Sequence, residues 1–328
     1  MSFSFFSNHQ KKLNMYTARK NAAAFTIGLF KLLFILGLAY LFLFPLFYMV
    51  SVAFQDPESV LDPTIVYVPK KFTLKSITAA AKTLDYGRSL GLTLIISVFS
   101  TLASLAACSM AGYALARCRF PGKKISMLLV VMLIIIPQQT LLLSSYLNFR
   151  FFDFGGILKL LSPITGVSHI NLLNTPFTFI LPSLFGVGLR SGLFIFIFRQ
   201  FFSGMPKDLE EAAQIDGCNA FSTYIKIIVP LAKSAFVTVI LFSFVWHWND
   251  LYTSAAYFTQ QTQPLMVKLN GLMTALQSGM SSSGSVRVYE LRTYMQAGAL
   301  LTITPPLVLY LFTQRLFTES IERTGIVG

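Results

Sequence analysis

Apolar residues in this chain gather in long, nearly uncharged runs rather than in the alternating pattern of a half-buried strand or the 3.6-residue pattern of a surface helix. A helix needs about 20 predominantly apolar residues to cross the hydrocarbon core of a bilayer, and six runs approach or exceed that length. Residues 32–54, 89–116 and 126–148 carry no charge, although Pro45 lies inside the first and Pro137 inside the third. Residues 176–198 are apolar apart from Arg190, residues 234–258 are interrupted by Asp250, and residues 295–317 contain Pro305-Pro306. The pattern predicts an all-α membrane protein with six transmembrane helices at these positions. Residues 1–31 are then an N-terminal segment, residues 32–328 one membrane domain, and residues 199–233 the polar loop between the fourth and fifth crossings.

Composition agrees with that pattern. The 328 residues are 54% hydrophobic and only 12% charged, against about 25% charged in a soluble domain. A formal charge of +13 in a soluble chain would suggest nucleic acid; here it is better explained by topology, and no nucleic-acid partner is expected. Six crossings put both ends on one side. Assigning that side to the cytoplasm leaves fourteen Lys/Arg inside and ten outside. The loop Arg117-Cys118-Arg119-Phe120-Pro121-Gly122-Lys123-Lys124 decides the matter, because four cations without an acid sit in one short connection, and short loops dominate the positive-inside rule. The reading is N-in and C-in, with an uncleaved first span and loop 199–233 in the cytoplasm. Cys108, Cys118 and Cys218 have neither metal-ligand spacing nor a nearby His and read as free thiols; no metal site is expected.

The cytoplasmic loop contains Pro206-Lys207-Asp208-Leu209-Glu210-Glu211-Ala212-Ala213-Gln214-Ile215-Asp216-Gly217, which concentrates four of the thirteen acidic residues. Pro206 suits a first helical position, the acids of the opening turns complement the helix dipole, and Gly217 supplies the stop. Leu209, Ala212, Ala213 and Asp216 fall on one narrow face, where small side chains permit close approach of another surface. From local physics alone, an amphipathic helix lying on the membrane fits equally well. The longer spacing separates the two readings: Glu211-Ala212-Ala213, then Gly217 after three residues, then Ile227-x-Val229-Pro230 after nine. This resembles the EAA loop in permease subunits of ATP-binding-cassette importers, with Val229 in place of the usual Leu. Residues 111–124, 172–184, 198–217, 246–250 and 324–328 are similar to the carbohydrate-importer branch typified by the smaller maltose permease.

The resemblance implies a type I importer permease fold in a bacterial cytoplasmic membrane and a role in carbohydrate import, with a tilt towards oligosaccharides. It implies a cytosolic ATPase dimer, a second permease subunit and an extracytoplasmic solute-binding protein as partners, besides membrane lipid. Glu210, Glu211, Ala212, Ala213, Asp216 and Gly217 would form the helix that docks on the ATPase. The chain itself has no G-x-x-x-x-G-K-[ST] phosphate loop and no catalytic constellation, so it is expected to be a transport subunit without enzymatic activity or cofactor. The outer segments 55–88 and 260–294 are either receiving surfaces for the binding protein or plain connections.

Polar residues at membrane depth are candidates for the solute path, each with an ordinary structural alternative. Arg190 could neutralise a substrate, pair with a partner subunit, snorkel, or bind backbone carbonyls. Gln138 and Gln139 follow Pro137 and could serve a kink. Trp246, Asn249 and Asp250 could stack on and hydrogen-bond a sugar, or form an interfacial anchor. The rival from another class is a secondary transporter or channel with a merely interfacial loop helix; a paired intramembrane carboxylate would favour it, and the sequence shows none.

Overall fold

The computed structural model describes residues 3–59, 68–280 and 290–325, and among them the regular structure is helical, with two isolated β-bridges. In chain order the helices are α1 (Phe3–Ala53), α2 (Lys75–Thr83), α3 (Tyr86–Arg117), α4 (Lys123–Ile135), α5 (Leu142–Arg150), α6 (Ile157–Thr165), α7 (Phe177–Leu184) and α8 (Ser191–Ser203). They continue with α9 (Asp208–Ile215), α10 (Ala220–Thr223), α11 (Val229–Leu231), α12 (Lys233–Trp248), α13 (Tyr252–Tyr257), α14 (Leu265–Met280) and α15 (Leu291–Gly325).

Three helices are long and apolar enough to cross a bilayer unbroken: Ala24–Ala53 within α1, all of α3, and Leu291–Gln314 within α15. The other three expected crossings are not continuous. The 126–148 run bends by 96° between α4 and the following Gln138–Arg150 segment. Pro137 cannot donate a backbone hydrogen bond and pushes Ile136 out of helical geometry, and Ile136 is extended, with φ −70° and ψ 119°. The 176–198 run stops at Leu184 and restarts at Ser191, with Gly186 at φ 69° and Arg190 at φ 59° between the two helices. The 234–258 run ends as α12 at Trp248, and a separate short helix, α13, begins at Tyr252. One bent pair, α7 followed by the short apolar helix α8, and α12 followed by α13 thus stand where three straight spans were expected, and a further bend of 79° lies just before α12.

Helix α3 is the centre of the fold, packing against α7, α8 and α12. Small residues line its buried side, including Ser97, Ser100, Ser104, Cys108, Ser109 and Gly112. Such residues let helix backbones approach closely in a membrane, where no hydrophobic force drives helices together. At Gly112 an added Cβ would lie 2.6 Å from Phe198 Cβ and 2.9 Å from the Arg199 backbone nitrogen, so α3 and α8 touch there. Gly192 plays the same part between α8 and α4, where an added Cβ would lie 3.0 Å from the Val130 carbonyl oxygen. The resulting core joins Leu105, Cys108, Leu115, Phe194, Phe198, Phe202, Tyr224 and Ile228. A second core, of Ala53, Ala80, Leu84, Leu272, Leu276, Leu291 and Ala297, joins the end of α1 to α2, α14 and α15. Most apolar side chains of α1 from Phe25 to Phe47 remain exposed, as suits a helix clothed by lipid.

Pro305 and Pro306 do not break α15. Each removes one N–H, which frees the carbonyls of Leu301 and Thr302, four residues earlier. Both are satisfied from other helices: the Tyr86 hydroxyl donates to Leu301 O at 3.0 Å, and Trp248 Nε1 donates to Thr302 O at 3.1 Å. A similar accommodation occurs before Pro230, where Tyr224–Ile228 forms a π turn, a widened helical turn frequent at functional sites.

Candidate functional site

The three helix breaks meet. Gln138 and Gln139 follow the break at Pro137 in a 3₁₀ turn, Arg190 is the residue before the first turn of α8, and Asn249 and Asp250 follow the last turn of α12. Together with Trp246 they line one cavity of about 200 Å³, so all six residues singled out in the sequence as a solute path share a site. Non-helical backbone at membrane depth is tolerated where it is buried in protein or lines a cavity, and breaks at polar residues satisfy that condition together. A second cavity of about 420 Å³ shares Gln138, Leu142, Leu189 and Thr253 in its lining and continues the space towards Ser145, Asn148 and Tyr257.

The roles within the cavity differ. The Arg190 guanidinium lies over the Trp246 ring, 5.6 Å from its centroid. Asp250 Oδ2 accepts the Ser254 backbone N–H at 2.7 Å, which fixes the start of α13. Gln139, Asn249 and Arg190 have exposed side chains, and Gln138, Trp246 and Asp250 are half-buried. His247 and Trp248, in the same stretch of sequence, are buried away from the cavity, with Trp248 spent on α15. Tyr252 and Thr253 complete the lining; sequence reasoning missed them, although they directly follow the polar stretch.

The acidic helix lies at the other end of α8, roughly 20 Å away by the rise of a 13-residue helix. It is α9, eight residues long, and it begins at Asp208 rather than at Pro206. Its stop is a Schellman motif: Cys218 N donates to Ala213 O at 2.9 Å and Gly217 N to Gln214 O at 3.0 Å, with Gly217 at φ 82°. Asn219 then caps α10, its side-chain oxygen accepting from Ser222 N at 2.8 Å. The elbow is therefore fully hydrogen-bonded by local residues.

The alanine pair divides. Ala213 is buried against the chain's own helices, whereas Ala212, Glu211, Asp208 and Asp216 face outward with Ile215, which is 87% exposed. Glu210 points inward and pairs with Arg117 at the end of α3, Nε to Oε1 3.2 Å, with side-chain exposures of only 16% and 7% respectively. Arg117 also donates through Nη2 to the Met205 carbonyl, and the Tyr113 hydroxyl is a further partner of Glu210. Near the π turn, the Tyr224 hydroxyl meets Ser109 Oγ at 2.7 Å. Tyr113, Arg117, Ser109 and Tyr224 were not legible as functional residues. They tie α9 and the turn after it to α3, the helix that also packs on α7, α8 and α12.

Residues 106–321 match the family described as "binding-protein-dependent transport system inner membrane component". Among curated relatives, the polygalacturonan/rhamnogalacturonan transport system permease protein YtcP of Bacillus subtilis is 27% identical, over 90% of this chain and 96% of that protein. The arabinooligosaccharides transport system permease protein AraQ of Halalkalibacterium halodurans is likewise 27% identical, over 89% and 93%. Among solved structures, a chain of a bacterial ABC transporter involved in the import of the acidic polysaccharide alginate superposes with a TM-score of 0.67. It is 22% identical and covers 89% of this chain and 96% of its own.

Proposed function

Since the chain belongs to the family of binding-protein-dependent transport system inner membrane components, we propose that it forms half of the translocation pathway of an ATP-driven carbohydrate importer. It is a multi-pass protein of the bacterial cytoplasmic membrane and a transport subunit rather than an enzyme, with ATP hydrolysis on a separate chain. A cytosolic ATPase and a solute-binding protein are its partners by family. A second permease subunit and a dimeric ATPase complete the proposed assembly, in which six crossings, three of them broken, leave both termini in the cytoplasm. The placement of Arg117 against α9 supports that orientation, because it puts the basic loop and the acidic helix at one end of the bundle.

The observation that carries the reading is the convergence of Gln138, Gln139, Arg190, Trp246, Asn249 and Asp250 in one cavity. Amides and a carboxylate offer donors and acceptors to sugar hydroxyls, and an indole offers a flat apolar face to a sugar ring. Relatives named for sugar-polymer and oligosaccharide transport favour the same solute class. The outward face of α9, with Ala212 and Ile215 exposed, is the proposed ATPase contact, and α3 is the strut that carries its displacement to the helices around the cavity. An interfacial helix would turn its apolar side chains to lipid and leave its acids in water; α9 instead buries Glu210 and Ala213 in the bundle.

Ala212→Trp tests this reading, because the side chain is exposed and its enlargement strains nothing within the chain. The variant complex should reach the membrane in normal amounts and lose solute-stimulated ATP hydrolysis and transport together. Unchanged transport would remove α9 from the coupling route.

A further inference from the structure

We propose that the cavity at the helix breaks selects an anionic carbohydrate, with Arg190 holding its acidic group. The proposal rests on the reading of that cavity as the solute path and specifies the charge of what passes. Three features support it.

First, Arg190 is a cation without a countercharge. Among the described residues no carboxylate lies within ion-pairing distance of it, although Asp250 lines the same cavity. Asp250 is committed elsewhere: it accepts from the Ser254 backbone and is further hydrogen-bonded by Thr253 and the Ser254 hydroxyl. A charged side chain at membrane depth is costly unless something answers it, and among the described residues the Trp246 ring is a cation–π partner while no carboxylate neutralises the charge.

Second, the guanidinium is oriented. Its Cζ lies over the Trp246 ring at 5.6 Å from the centroid, which places a planar fork of N–H donors, the group that takes a carboxylate or phosphate oxygen pair, beside the indole. The ring beneath it contributes apolar area next to the fork, which matches a sugar bearing an acidic group better than a small inorganic anion.

Third, the backbone holds Arg190 there at an energetic cost. Its φ of 59° is left-handed, a conformation rare for a non-glycine residue, and it directly precedes α8, whose positive dipole end faces the same break. The neutral hydrogen-bonding groups of Gln138, Gln139 and Asn249 surround this one cation.

Equilibrium binding to the complete transporter in lipid nanodiscs, without its solute-binding protein, tests the idea. The probes are trigalacturonate, its fully methyl-esterified neutral counterpart, and glucose 6-phosphate beside glucose. An anionic probe should bind at least about tenfold more tightly than its neutral counterpart, the size expected of one charge-assisted hydrogen-bond pair, and whichever anion does so identifies the acidic group. Arg190→Asn keeps a residue that tolerates the left-handed conformation but removes the charge; it should bring the ratio of anionic to neutral binding to within about twofold of one. Arg190→Lys should retain part of it. Binding of neutral sugars with no anionic preference, or a preference that survives Arg190→Asn, overturns this inference alone. Failure of every sugar to bind overturns it together with the carbohydrate reading.

Discussion

Helix α3 and the runs that became α4, α8 and α12 have much the same apolar character in sequence, yet α3 remains one helix of 32 residues and the others are interrupted. Helix α3 contains no proline, and its buried hydroxyls and Gly112 face neighbouring helices rather than demanding a break. The interrupted runs each meet a residue that a straight helix accommodates poorly: Pro137, the Gly186 to Arg190 segment, or Asn249-Asp250. The contrast separates two jobs. In the proposed mechanism the continuous helix, tied at one end to α9, transmits displacement along its length, and the broken helices expose backbone and polar side chains to the solute.

The largest effect on this contrast should come from Gly112→Leu. The added side chain would begin 2.9 Å from the Arg199 backbone nitrogen, which cannot rotate aside as a side chain can. Overpacking of about 3 kcal/mol should separate α3 from α8 and lower the yield of folded protein, seen as a fall in the detergent melting temperature. A melting temperature unchanged from the parent would show that α3 does not hold the broken helices by close packing.

Next comes Arg117→Ala, which leaves the Glu210 carboxylate poorly solvated. Removing one partner of a buried pair is worth about 3 kcal/mol at most here, since both groups retain some exposure. Insertion should survive, and ATP hydrolysis should continue without responding to solute. Arg117→Lys should restore part of the response. Loss of ATP hydrolysis and response in equal measure would make the pair a fold requirement rather than a link.

The smallest effect on stability should follow Pro137→Ala, within roughly 0.5 kcal/mol, because the site is exposed and makes no core contact. If proline alone imposes the 96° bend, the restored N–H lets α4 extend, and Gln138 and Gln139 leave the cavity. Distances measured between spin labels on α4 and α5 should lengthen. Unchanged distances would assign the bend to the packing of α5 instead.

Apolar run length determined by itself that this is a membrane protein and where its continuous helices α1, α3 and α15 lie. The acidic helix was equally legible, because its dipole-matched acids and its Schellman stop at Gly217 involve groups at most five residues apart. Locally satisfied hydrogen bonds leave a signature in a short stretch of sequence. Tertiary structure alone decided that the six polar residues of the broken runs meet, that Ala213 turns inward while Ala212 turns out, and that Arg117 answers Glu210. It also decided that Tyr86 and Trp248 supply the donors for the carbonyls freed by Pro305 and Pro306. In the hydrocarbon core a backbone group released from its helix must find a partner within the protein, and that partner comes from a helix distant in sequence whose position no local pattern encodes.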